Sequence, residues 1–213
     1  FFTFNRRLWS DKLGQISLST TTLFWGAGVT LKFIVLAWAG VALGYNTTQA
    51  SALTGVVAIG TAAGAILASM RMRLDIATRV IPLGIAMGVL LVLMVFINSI
   101  WVAVPFLIVL GGLGGYLVVP MNALLQHRGH NLMGAGRSIA VQNFNEQAAI
   151  LGLGLLYSLS LKLGLSVFGA ITVFGVVVAG AMWLIRFWHL YNCKYHRAAV
   201  THLLRIARRD KQH

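Results

Sequence analysis

Six apolar runs, each long enough to cross a bilayer, constrain this chain more than anything else in it. They cover about residues 18–43, 51–69, 80–98, 101–126, 136–162 and 165–188. A hydrocarbon core about 30 Å thick takes roughly 20 residues of helix. Backbone amides find no water there, so helix is the state such runs adopt. Charged residues are only 10% of the chain and hydrophobic ones 58%. A soluble domain carries about 25% charged residues to cover its surface. The expected fold is therefore an all-α membrane protein, a bundle of six transmembrane helices.

The basic residues orient it. Arg6, Arg7 and Lys12 precede the first run, Arg71, Arg73 and Arg79 follow the second, and Arg128 and Arg137 follow the fourth. Arg186, Lys194, Arg197, Arg205, Arg208, Arg209 and Lys211 close the chain. The opposite connectors, around 44–50, 98–101 and 162–165, hold only Lys162. Fifteen of the 17 basic residues thus fall on one side, the positive-inside pattern. Both ends are expected in the cytoplasm. The net charge of +13 is accounted for by topology, which argues against a nucleic-acid partner.

The flanks are amphipathic. Residues 1–17 mix Phe, Leu8 and Trp9 with Arg and Lys, as an interfacial linker helix would. Ala199, Val200, Leu203, Leu204 and Ala207 recur at helical spacing beside Arg205, Arg208 and Arg209. The expected organisation is a cytoplasmic linker helix over 1–17, the membrane bundle over 18–188, and a basic amphipathic cytoplasmic tail over 189–213. That tail either rests on the anionic inner leaflet or is solvated. The chain starts Phe1-Phe2-Thr3, with no initiator Met or signal-peptide pattern, and is expected to be part of a longer polypeptide.

Small residues at four-residue spacing, Gly60/Gly64 and Gly84/Gly88, suit close helix packing. Gly111, Gly112, Gly114 and Gly115, with Pro120 one turn on, suit either a bendable helix that gates movement or a second tight seam.

A charge at mid-membrane costs roughly 2.5–3.5 kcal/mol on insertion scales, so it needs a partner or a task. Two qualify: Lys32 in the first run and Glu146 in the fifth. Counted from the run ends they lie about 21 and 15 Å deep, close enough for a Lys side chain to approach the carboxylate. Glu146 ends the polar run Gln142-Asn143-Phe144-Asn145-Glu146, and Asn122 and Gln126 repeat the i,i+4 spacing in the fourth run. Such hydrogen-bonding capacity implies a wet cavity or a protein interior. Lys32 and Glu146 form either a permanent pair between helices or a site for a phosphate and an ammonium. The second, third and sixth runs have no charge in their cores, and the third and sixth have hardly any polar side chains either, as lipid-facing helices should.

Enzyme chemistry finds no footing, since no paired carboxylates or Ser/His/Asp set is visible. His127-x-x-His130 and His189-x3-Cys193-x2-His196 lack further ligands nearby, so no metal or cofactor is expected.

Three stretches carry a family resemblance: Leu23-Phe24-Trp25-Gly26-Ala27-Gly28-Val29-Thr30-Leu31-Lys32-Phe33; Val118-Val119-Pro120-Met121-Asn122-Ala123-Leu124-Leu125-Gln126; and Gly134-Ala135-Gly136 leading to Gln142, Asn143 and Glu146. Over about residues 16–188 the chain resembles the C-terminal half of bacterial lysophospholipid transporters, within the major facilitator superfamily. The resemblance implies half of a twelve-helix fold, an inverted 3+3 repeat whose partner half is a separate six-helix bundle. Its first, second, fourth and fifth helices would line a central cavity. It implies transport of lysophosphatidylethanolamine-type lipids from the outer to the inner leaflet of the bacterial inner membrane, where a cytoplasmic acyltransferase restores the missing chain. Lys32 would meet the headgroup and Glu146 would be its counter-charge or gating partner, with Asn122, Gln126, Gln142 and Asn143 lining the polar track. Arg is common in the family where Lys32 stands, so the bidentate fork is absent here. A drug or small-solute exporter on the same fold, and a membrane scaffold for a cytoplasmic enzyme, are the competing readings.

Overall fold

The computed structural model describes residues 1–209, so residues 210–213 of the expected tail lie outside the described residues. Eight α-helices are formed by the described residues: α1 Phe2–Ser10, α2 Gly14–Leu43, α3 Thr47–Arg71, α4 Ile81–Leu93, α5 Ile100–Met133, α6 Ala135–Lys162, α7 Val167–Tyr195 and α8 Arg197–Arg209. Short 3-10 turns, Leu74–Val80 and Met94–Phe96, extend α4 at either end.

Local chemistry sets the breaks. Gly44 ends α2 in the left-handed conformation, φ 66°, where a side chain would be strained. Asn46 and Gln49 form a reciprocal capping box at the start of α3, each side chain accepting the other's backbone N–H. Ser166 caps α7 by accepting from the Gly169 amide at 3.1 Å. Only Gly134, at φ 83°, separates α5 from α6.

Among the described residues five segments are long and apolar enough to cross a membrane: α2, α3, Leu74–Phe96, α5 and α7. The sixth expected span, α6, has the length at 28 residues but falls outside that set. Its polar run from Gln142 to Gln147 lowers its hydropathy, and it packs in the bundle against α2, α5 and α7.

Helices pair as α3 with α5, α4 with α7, and α2 with α6. Exchanging the first three long helices for the last three maps this pairing onto itself. Glycine explains two of the seams. A Cβ on Gly60 would strike the Ile108 carbonyl, one on Gly64 that of Gly112, and one on Gly115 that of Thr61. Backbones therefore touch directly along α3–α5. On α4–α7, Gly88 meets Ala179 and Gly84 meets Met182. Gly111, Gly112 and Gly115 of α5 are thus packed against α3, whereas Gly114 faces Phe24 and Met87, and α5 runs as one helix through Pro105 and Pro120.

Trp38 is fully buried and donates its indole N–H to the Met94 carbonyl at 3.0 Å, tying α2 to the turn after α4. The apolar face of α8 is docked rather than free. Val200 packs with Leu13, Ala77 and Leu124, and Ala207 is fully buried.

Candidate functional site

The expected site residues divide into two groups at different levels of the bundle. The upper group is a groove of about 430 Å³ between α2 and α3, floored by Leu110, Gly111 and Gly114 of α5. Trp25, Gly28 and Val29 form the α2 wall, and Thr54, Ala58, Thr61 and Ala62 the α3 wall. Among the described residues Lys32 is its sole charged lining residue, and it is exposed. Small residues open this space: Gly28 has no atom within 4 Å of where a Cβ would stand. Phe24 and Met87 close the floor around Gly114.

The lower group is a hydrogen-bonded chain across α5 and α6. The Gln142 amide donates to Asn122 Oδ1 at 2.7 Å and to Glu146 Oε1 at 2.8 Å. Both of its N–H groups are spent, and Gln142 is itself buried, at 7% exposure. The i,i+4 spacing of Gln142 and Glu146 on one helix brings the second bond about. Gln126 and Asn143 are exposed and make no hydrogen bond within this cluster.

Lys32 and Glu146 do not pair. A Cβ on Gly26 would press on Ala149 and Leu153, and the Thr30 hydroxyl lies 4.0 Å from a Cβ on Gly154. The two helices run parallel in that register, so Lys32 is level with α6 positions near 155. It sits about 14 Å further along the axis than Glu146. Similar depths were expected because they were counted from the ends of the apolar runs. The helix starts at Gly14, four residues before the run, and the α2–α6 register adds the remainder. A permanent Lys32–Glu146 bridge is thereby excluded.

Sequence reasoning passed over two fastenings at the basic end of the bundle. Asp11 and Arg128 form a buried two-pronged ion pair, Nε to Oδ1 at 3.1 Å and Nη2 to Oδ2 at 2.7 Å, with side chains 9% and 6% exposed. Asp11 Oδ1 also accepts from the Gly14 amide at 2.7 Å, capping α2. Arg128 was assigned to a connector, whereas α5 continues to Met133 and carries it inside. The signal for Asp11 was present: an acidic residue three positions ahead of an apolar helix. The second fastening is Asn145. Its amide donates to Asn5 Oδ1 at 3.0 Å, and its carbonyl accepts from the Trp9 indole at 3.3 Å. One residue of the polar run therefore anchors α1, not the track.

Among the described residues no three His, Cys, Asp or Glu side chains gather. His189 Nε2 and Cys193 Sγ approach at 3.6 Å, one turn apart.

Comparison with known proteins supports the family resemblance. The chain is 46% identical over 165 residues to the lysophospholipid transporter LplT of Yersinia pestis (strain Pestoides F). It is equally similar to its namesake in Yersinia pseudotuberculosis serotype O:3 (strain YPIII). The match takes in 77% of this chain and 41% of each relative, so the chain spans well under half of their length. No protein-family model and no solved structure matches.

Proposed function

We propose, from the similarity to lysophospholipid transporters, that this chain is one six-helix half of a carrier for lysophospholipids. The single observation that supports it most is Lys32 on the wall of an otherwise uncharged groove of about 430 Å³. A lysophospholipid has one acyl chain and a phosphate. The groove offers apolar walls to the first and a point cation to the second. An ammonium set held unpaired at mid-membrane is costly, and a substrate phosphate is the counter-charge that relieves it.

The lower cluster then serves the passage rather than the first contact. Glu146, held by Gln142 against Asn122, presents a carboxylate about 14 Å along the path, where the ammonium of an ethanolamine headgroup would find a partner. Asn143 and Gln126, exposed near it, extend the polar track. The pairing of helices, unchanged when the two triplets are exchanged, is what an inverted 3+3 repeat of the major facilitator type produces. The other half would supply the facing wall, and rocking of the halves, eased by the glycines and Pro120 of α5, would alternate access. The concentration of basic residues at one end supports an inner-membrane location with both ends of this segment cytoplasmic. Transport would run from the outer to the inner leaflet, toward a cytoplasmic acyltransferase.

The test is lysophosphatidylethanolamine uptake by the complete polypeptide in vesicles. Lys32→Ala with Glu146→Ala is expected to reduce uptake at least tenfold. Uptake at the unmodified rate would remove this site.

A further inference from the structure

We propose that the outer edge of α7 and its junction with α8 form a binding surface for anionic phospholipid headgroups, separate from the groove. The proposal goes beyond the carrier reading and shares with it only the premise that the bundle spans a bilayer.

Trp183, Phe187, Tyr191 and Tyr195 recur every fourth residue along α7 and are between 47% and 60% exposed. They form one row, with Trp183 stacked on Phe187 at 6.0 Å and Tyr191 against Tyr195 at 4.5 Å. The adjacent row holds Arg186 and Lys194, both exposed, with Lys194 Nζ 5.2 Å from the Tyr195 ring centre. Arg186 lies about 29 Å along the axis from Val167, near the full thickness of a hydrocarbon core. The helix beyond it therefore occupies the headgroup layer, where Tyr and Trp rings settle and where cations reach phosphate.

Charge decides which lipid. Among the described residues Asp75 is engaged with Arg73 at 3.2 Å, Asp11 with Arg128 at 2.7 Å, and Glu146 accepts from Gln142 at 2.8 Å, and none of the three forms an ion pair with Arg186, Lys194 or the Arg197 that opens α8. Val200 and Ala207 of α8 are already buried against the bundle and Leu203 and Leu204 are partly buried there, so α8 does not sink into the acyl layer. Its attraction to the leaflet is electrostatic, which makes it selective for anionic headgroups and sensitive to salt.

A fluorophore on Leu190→Cys, an exposed position between Arg186 and Lys194, reads this surface in the complete polypeptide. Vesicles carry nitroxide-labelled phosphatidylglycerol or phosphatidylcholine as quencher. Half-maximal quenching is expected at about tenfold less phosphatidylglycerol than phosphatidylcholine in low salt. The difference should vanish in 1 M salt, where the screening length is about 3 Å, and in the Arg186→Gln/Lys194→Gln/Arg197→Gln variant. Replacing Arg186 and Arg197 with Lys should retain it. Equal quenching by both lipids, a preference that survives salt or neutralisation, or no quenching by either (the result for a surface covered by protein) would overturn the proposal. Lysophosphatidylethanolamine uptake in the same vesicles reports separately on the groove.

Discussion

Asp11 and Arg128 carry a larger structural burden than any residue of the proposed site. Their pair closes the basic end of the bundle, joining the start of α2 to the end of α5, and both side chains are withdrawn from water. Removing one partner strands the other, at about 3–5 kcal/mol. Arg128→Met alone should lower the thermal midpoint in detergent sharply. Arg128→Met combined with Asp11→Asn should recover part of the loss, because no charge is then left buried. Gln142 makes a different prediction. Gln142→Leu keeps the volume but orphans Asn122 and Glu146, so uptake should fall while stability drops by only about 1–3 kcal/mol. Comparing uptake with melting curves separates the two effects.

Helix seams are the element-scale result, and glycine is the residue that writes them. Gly64→Ala or Gly115→Ala forces a methyl into a facing backbone carbonyl and should cost about 1–3 kcal/mol by separating α3 from α5. Gly55→Ala meets nothing within 4 Å and should be neutral or stabilising by about 0.5–1 kcal/mol through helix propensity. A melting series across these three variants checks both. The seam at Gly60/Gly64 was legible in the sequence from its spacing alone, as were the spans, whose ends match to within a few residues except where α5 and α7 continue through their polar ends. What spacing did not reveal was register. Nothing in the apolar runs fixes how far α2 slides along α6, since the Gly26–Ala149 contact that sets it is a tertiary fact. The depth of Lys32 relative to Glu146 was misread for that reason. Nor does composition say that Asn145 reaches α1, because Asn5 and Trp9 are distant in sequence and close only after folding.

At the scale of the molecule, the bundle divides its polar groups by height. Fastenings occupy the basic end, the Asn122–Gln142–Glu146 chain lies between α5 and α6, and the groove with Lys32 lies above. The account stands on the groove holding the acyl chain. Lysophosphatidylethanolamine carrying a photoreactive diazirine in its chain, activated in vesicles with the complete polypeptide, measures this directly. Crosslinks on α2 between Phe24 and Val35 and on α3 between Thr54 and Ala65, competed away by unlabelled lysolipid and weakened by Lys32→Ala, are the predicted result. Crosslinks confined to α4 and α7, uncompeted and indifferent to residue 32, would contradict it.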